Sequence, residues 1–122
     1  METRNLIGYN YQPEQGKKFK AVDPALGIDL PGEFYAANIA EADAAMKLAD
    51  KAFAIFRSIG NVKKAAFLRS IADEIIAIGT PLIERAMAES GLPEARLIGE
   101  RGRTTNQLKM FADLSLKQDR QL

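Results

Sequence analysis

The sequence contains no cysteine and no histidine. The lack of cysteine excludes disulfides, thiolate metal ligands and thiol nucleophiles, and the lack of histidine removes the commonest general base and a frequent metal ligand. A serine triad of the usual type is excluded as well, since Ser58, Ser70 and Ser90 have no histidine to activate them. The chain therefore carries few of the side chains on which enzyme chemistry normally depends.

An excess of one charge and a long apolar run are also missing. Lys and Arg number 17 against 16 Asp and Glu, with both signs interspersed, so the net charge is only +1. This pattern does not favour nucleic acid or an anionic membrane as a partner. No run reaches the roughly 18 apolar residues of a spanning helix, and the N-terminal segment lacks the apolar region of a secretory signal. We expect a cytoplasmic protein that binds neither nucleic acid nor membrane.

The first part of the chain, residues 1–37, has the pattern of short strands and turns. Weak alternation around Tyr9, Tyr11 and Phe19 predicts a β-hairpin whose loop lies at Pro13–Gly16. Asp23–Gly27 follows as a second turn, because Asp bonds its own backbone and Gly permits a positive φ at the exit. We interpret the tyrosines as packing residues of this region.

Residues 38–116 have the periodicity and capping signals of about four helices. The helices are predicted to begin at Asn38, which can form a cap with Glu41, at Asn61, at Thr80, which is the predicted cap before Pro81, and at Pro93. They are predicted to end near Gly60, Gly79, Gly91 and Leu116. The predicted fold is mostly α with an N-terminal β-hairpin. Two of these helices have apolar residues outside their main stripes, namely Leu48, Ile55, Ile76 and Ile78. Helices that are apolar on more than one side normally have neighbours on both.

The segment AMAESGLPEARLIGERGRTT, residues 86–105, combines three glycines with three arginines. A phosphate loop needs closely spaced glycines after a strand, and neither GxGxxG nor GxxxxGK[ST] occurs. Gly91 is typical of a helix C-cap and Pro93 of a helix start. Gly99 and Gly102 fall inside a predicted helix, where glycine costs up to about 1 kcal/mol relative to alanine, and close packing is our preferred explanation.

The arginines of this segment have two interpretations. Arg96, Arg101 and Arg103 have Glu94 and Glu100 nearby, so the default interpretation is a solvated charged face. A guanidinium also suits a carboxylate ligand, which keeps a binding role open.

The order of these signals resembles the N-terminal segment of NAD(P)-dependent aldehyde dehydrogenases. LIGYN is similar to the family's opening strand, KFKAVDPALG to its next strand and turn, and EADAAMKLADKAF and FLRSIADEI to its first helices. The stretch ERAMAESGLPEARLIGERGRTTNQLKMFA resembles the helix pair that follows, and its part ESGLPEARLIGERGRTT is most like the branch that oxidises α-ketoglutarate semialdehyde, or 2,5-dioxovalerate. The resemblance runs from about Leu6 to Asp113.

The resemblance implies a partial fragment of the α/β aldehyde dehydrogenase fold. The family's nucleophilic cysteine, base glutamate, oxyanion asparagine and most of its dinucleotide site lie in motifs that this chain does not contain. An aldehyde substrate, NAD or NADP, and a homo-oligomeric assembly are accordingly expected of the complete enzyme. For this chain alone we expect no catalytic residue, no cofactor and no metal.

The resemblance also suggests a substrate-binding face. The family helix that ends in an aromatic–alanine pair, here Phe111–Ala112, passes the entrance of the substrate tunnel. Counting back along this helix puts Gly99 and Arg103 on the face that borders the entrance, one turn apart. Arg103 is the candidate to contact the distal carboxylate of a semialdehyde substrate.

Beyond Ala112 the resemblance fades, and residues 117–122 are interpreted as a tail outside the family pattern, which a shifted frame or an early stop would explain. The first hypothesis is a truncated N-terminal fragment that is inactive by itself. It predicts marginal stability and exposed apolar surface that binds a hydrophobic dye. The alternative is a stand-alone helical interaction module that docks onto an intact dehydrogenase subunit, which predicts a folded chain with a defined stoichiometry.

Overall fold

The structure is a computed structural model that describes residues 2–118. The chain divides into two units, Met1–Ser58 and Ile59–Leu122. The first unit contains six short strands and one helix, and the second contains three helices, in the part of the chain that is described. The structure is therefore mostly helical with strands at its N-terminus, as the sequence predicts.

Six two-residue strands in the first unit form three antiparallel pairs. The pairs are β1 (Leu6–Ile7) with β2 (Asn10–Tyr11), β3 (Lys18–Phe19) with β6 (Phe34–Tyr35), and β4 (Val22–Asp23) with β5 (Ile28–Asp29). Their registers place Leu6 opposite Tyr11, Lys18 opposite Tyr35 and Val22 opposite Asp29.

The predicted pairing of the first hairpin is wrong in this structure. The strand at Tyr11 turns back onto Leu6, whereas the strand at Phe19 pairs with Phe34 across a much longer connection. The reason lies at Gly8, whose φ of 64° permits a two-residue turn between β1 and β2. A hairpin is present near the N-terminus, as the fold class predicts, but it joins Leu6–Ile7 to Asn10–Tyr11 with its loop at Gly8–Tyr9, and the predicted loop at Pro13–Gly16 is wrong.

The turn at Asp23–Gly27 is confirmed and connects β4 to β5. The Asp23 Oδ1 atom accepts hydrogen bonds from the backbone N–H groups of Ala25, at 2.8 Å, and Leu26, at 3.1 Å. The N–H of Gly27 donates to the Asp23 carbonyl at 2.8 Å, and Gly27 has a φ of 67°. Both signals used in the prediction, the aspartate and the glycine, have the expected roles.

Tyr35 is buried in the first unit. Its hydroxyl donates to Glu14 Oε2 at 3.1 Å, and its carbonyl accepts from Asn5 Nδ2 at 3.1 Å. Burial, followed by the hydrogen bond to Glu14, raises the pKa of Tyr35. Tyr9, in contrast, is fully exposed, so the interpretation of this tyrosine as a packing residue is wrong.

Helix α1 (Ile39–Phe56) begins with a capping box, as predicted. Asn38 Oδ1 accepts from the Glu41 N–H, and Glu41 Oε2 accepts from the Asn38 N–H, both at 2.9 Å. These two bonds satisfy amide groups that have no partner within the helix. Leu48 and Ile55, which the sequence places outside the main stripe of this helix, are exposed.

The second unit contains α2 (Asn61–Ile78), α3 (Thr80–Ser90) and α4 (Glu94–Gln118). Gly91 ends α3 in the left-handed conformation with a φ of 68°, as predicted, and Pro93 directly precedes α4. The prediction that Thr80 caps α3 is wrong, because Thr80 is the first residue of this helix. Gly79 occupies the cap position and also ends α2.

Helices α2 and α4 meet through small side chains. Ala65 and Ala72 on α2 and Thr105 and Ala112 on α4 are buried. Alanine lets two helix backbones approach closely, since no longer side chain separates them. The Thr105 hydroxyl donates to the Gly102 carbonyl within α4 at 3.1 Å, so the buried polar group is satisfied.

Two ion pairs border this interface. Arg69 pairs with Asp113, and Lys109 Nζ lies 3.7 Å from Asp73 Oδ1. The sequence positions run in opposite order on the two helices, so α2 and α4 are antiparallel. Ile83 on α3 is also buried and completes the apolar core of this unit.

Two further predictions from the sequence concern the C-terminal tail and the lack of a membrane-spanning helix. Residues 117 and 118 continue α4, and the rest of the predicted tail at 117–122 lies outside the described residues. Within residues 2–118, none of the helices has the length and apolar character needed to cross a membrane.

Replacing Ala72 with leucine is expected to lower the free energy of unfolding of the second unit by about 1–3 kcal/mol, because the added atoms have no space between α2 and α4. Ala77→Leu is the matched control, since Ala77 lies on the same helix and is exposed. Its effect should stay within about 0.5 kcal/mol. Chemical denaturation followed by helical circular dichroism measures both values, and equal effects of the two substitutions would contradict the tight interface.

Candidate functional site

The candidate residues Gly99 and Arg103 both lie on α4 and are exposed. Arg103 precedes the buried Thr105 by two residues, or roughly 200° around the helix axis, so it lies on the side opposite the α2 interface. Gly99 is one turn before Arg103 on the same side. The contact between α2 and α4 therefore leaves the predicted substrate-binding face open.

The glycines of α4 do not make close contacts. Added Cβ atoms at Gly99 and Gly102 would meet nothing within 4 Å among the described residues, apart from the nearby backbone of their own helix. Close packing as the reason for these glycines is therefore wrong within this part of the chain. At Gly99 the missing side chain leaves open space beside Arg103.

Arg101 has a structural role that separates it from the other two arginines. Its side chain is half-buried, and its Nη1 atom donates to the Gly79 carbonyl at 3.4 Å. That carbonyl lies at the C-terminal end of α2, where a positive charge is favourable because of the helix dipole. Arg101 thus links α4 to the junction of α2 and α3.

Arg96 and Arg103 share one carboxylate, that of Glu100. Arg96 Nη2 lies 2.8 Å from Glu100 Oε1, and Arg103 Nη2 lies 2.9 Å from Glu100 Oε2. The Arg103 Nε atom donates to the same Oε2 at 3.0 Å. We refer to Arg96, Glu100 and Arg103 as the arginine cluster.

The arginine cluster has one positive charge in excess, since two guanidinium groups face one carboxylate. Both arginine side chains are largely exposed, 65% for Arg96 and 79% for Arg103, whereas Glu100 is 32% exposed. A guanidinium has five N–H donors, of which Arg103 uses two on Glu100. The cluster can therefore accept a second carboxylate from solvent.

An apolar groove of about 340 Å³ lies next to this cluster, between the three helices of the second unit. Glu100 and Arg101 line one side of it, and the apolar lining comes mainly from Ile75, Ile78, Leu82, Ile83 and Leu97. Glu100 thus lies at the boundary between apolar surface and the charged exterior of α4.

The pairing of Glu100 with both Arg96 and Arg103 was not predicted from the sequence. The spacing of Glu100 from Arg96 (i, i+4) and from Arg103 (i, i+3) puts all three side chains within reach on a helix, and this signal was present in the sequence. The sequence could not show that Arg101 faces another partner, because that contact depends on how α2 packs against α4.

The glycines do not fit a dinucleotide phosphate site. Gly91 is a helix C-cap and Gly99 and Gly102 lie within α4, whereas a phosphate loop follows a strand and precedes a helix. Among residues 2–118, no group of three acidic side chains converges to hold a metal ion. The guanidinium groups of the arginine cluster offer N–H donors to an anion.

The chain is similar to known proteins. A family model described as the aldehyde dehydrogenase family matches residues 11–122, a range that includes the segment 117–122. The alpha-ketoglutaric semialdehyde dehydrogenase 2 of Azospirillum brasilense is 49% identical over 109 residues, which is 88% of this chain and 21% of that protein. The alpha-ketoglutaric semialdehyde dehydrogenase of Acinetobacter baylyi is 41% identical over 86 residues, or 70% of this chain and 16% of the relative. The chain spans about a fifth of the length of these curated relatives.

Gly99→Ala is expected to raise the free energy of unfolding of the second unit by about 0.5–1 kcal/mol, because alanine is the better helix former and its methyl group meets nothing. The same replacement at Gly91, where φ is 68°, should instead lower the stability by about 1 kcal/mol. Chemical denaturation of both variants tests this difference in sign. Destabilisation by Gly99→Ala would show that the glycine has a packing role after all.

Proposed function

This chain belongs to the aldehyde dehydrogenase family, and we propose that it forms the N-terminal part of an enzyme that oxidises α-ketoglutaric semialdehyde to the corresponding acid. The two relatives described above are named for that semialdehyde, and the family generally uses NAD(P). In the overall reaction the aldehyde, water and NAD+ or NADP+ give the carboxylate, NADH or NADPH, and two protons.

The 122 residues alone do not catalyse this reaction under the proposal, since they contain no cysteine to form the covalent intermediate of the family. Under this proposal the nucleophile, the general base and most of the dinucleotide site belong to other segments of the complete enzyme. The proposal includes a cytoplasmic location and a homo-oligomeric complete enzyme.

The observation that carries the substrate assignment is the exposed, positively charged arginine cluster on α4. α-Ketoglutaric semialdehyde has an aldehyde at one end and a carboxylate at the other. Arg103 has free N–H donors and is 79% exposed, so its guanidinium is available to bind the distal carboxylate. Gly99, one turn away, leaves space for the substrate to pass on the same face.

The alternative, a stand-alone module that docks onto an intact dehydrogenase subunit, draws on a different observation. α1 exposes large apolar side chains at Ile39, Met46 and Ile55. Under both hypotheses such side chains pack against other protein, which is either the rest of the same enzyme or a separate subunit. The docking hypothesis gives Arg103 no role, so the two proposals differ in what this residue should do.

Arg103→Met is expected to raise the KM for α-ketoglutaric semialdehyde about tenfold, because one charge-assisted contact to the carboxylate is lost. The test uses a chimeric enzyme in which the matching 88% of this chain replaces the corresponding stretch, 21% of the length, of the Azospirillum brasilense relative. The KM for pentanal, which has no carboxylate, should not change.

Arg101→Met is the matched control, since Arg101 is two residues away on α4 and contacts the Gly79 carbonyl instead. It should affect stability and leave the KM ratio of the two aldehydes unchanged. An unaltered KM for the semialdehyde in Arg103→Met would rule out the proposed role of Arg103.

A further inference from the structure

We propose that Glu100 is a positioning residue that holds the Arg103 guanidinium in the orientation that receives the substrate carboxylate. This inference rests on the proposed function and adds a second residue to it. Glu100 does not itself touch the substrate under this proposal. Its effect on substrate binding acts entirely through Arg103.

The hydrogen-bond geometry supports this role. Arg103 Nε and Nη2 lie 3.0 and 2.9 Å from the same oxygen, Glu100 Oε2. These two contacts to one oxygen hold the edge of the guanidinium that carries Nε and Nη2 against Glu100, so its remaining donors face away from Glu100. An exposed arginine without such contacts samples many rotamers, and this freedom is lost when it binds a ligand. Glu100 reduces that loss because it orders Arg103 in advance.

Glu100 is itself anchored. Its side chain is only 32% exposed and lines the apolar groove, and its second oxygen, Oε1, is 2.8 Å from Arg96 Nη2. The carboxylate is therefore held at both oxygens, one by each arginine. A restrained carboxylate can orient a flexible partner, whereas a freely rotating one cannot.

Arg96 also balances the negative charge of Glu100 within the arginine cluster. A lone glutamate beside Arg103 would neutralise it and repel an incoming carboxylate. Because Arg96 pairs with the other oxygen of Glu100, the arginine cluster keeps one net positive charge. The structure therefore combines an ordered guanidinium with a local field that still attracts an anion.

The positioning role and a simple charge effect predict opposite results for Glu100→Gln. Removing a negative charge should by itself lower the KM for an anionic substrate. Loss of positioning should raise this KM about threefold, a size consistent with a partly exposed ion pair, without changing kcat. We expect the increase in KM for α-ketoglutaric semialdehyde in the chimeric enzyme, and no change for pentanal.

Glu94→Gln provides the matched control, since Glu94 is an exposed carboxylate in the first turn of the same helix. It makes the same change in net charge without touching the arginine cluster, so the KM ratio of the two aldehydes should stay at the value of the unsubstituted chimera. A KM increase that also occurs in Glu94→Gln would overturn the inference.

A second measurement uses the 122-residue chain and does not depend on turnover. The Nε–H of Arg103, followed by NMR, should exchange with solvent about threefold faster in Glu100→Gln than in the unsubstituted chain. Unchanged exchange would overturn the positioning role.

The kinetic outcomes separate the two proposals. If Arg103→Met raises the KM but Glu100→Gln lowers it or leaves it unchanged, the role of Arg103 stands and that of Glu100 fails. If Arg103→Met leaves the KM unchanged, both roles fail. An increase in both variants, confined to the semialdehyde, supports both.

Discussion

The close contact of α2 and α4 through Ala65, Ala72, Thr105 and Ala112 determines what the second unit can present to solvent. Because small side chains bring these helices together, one side of α4 is buried and its rotation about the helix axis is set. Arg103 then lies on the far side of the helix, while Arg101 reaches the Gly79 carbonyl. The candidate site depends on an interface that contains none of its residues.

Much of the helical part of the fold could be predicted because its signals are local. The capping box of Asn38 and Glu41 requires only residues within one turn, and the left-handed conformation of Gly91 follows from the absence of a side chain. The placement of Gly99 and Arg103 on one exposed helical face was predicted for a similar reason, since a regular helix fixes the angle between them. Their part in substrate binding stays a proposal.

The contacts that were not predicted involve partners distant in sequence or a choice among several neighbours. The pairing of β3 with β6 joins Lys18 to Tyr35 across intervening turns, and weak alternation in a short segment cannot specify it. The sequence placed Glu94 and Glu100 near three arginines but could not decide which pairs form. The packing of the helices determines which pairs form. Arg101 contacts the Gly79 carbonyl because the α2 side of α4 is buried, and Arg96 and Arg103 pair with Glu100.

We propose that this chain is part of a semialdehyde-oxidising enzyme whose catalytic centre lies in other segments, and the rate of NAD(P)H formation with α-ketoglutaric semialdehyde tests this proposal most directly. It is measured for the purified chain and for the chimera with the Azospirillum brasilense relative under the same conditions. We predict NAD(P)H formation by the chimera and none by the chain alone. Turnover by the chain alone, or a folded chimera without activity, would contradict it.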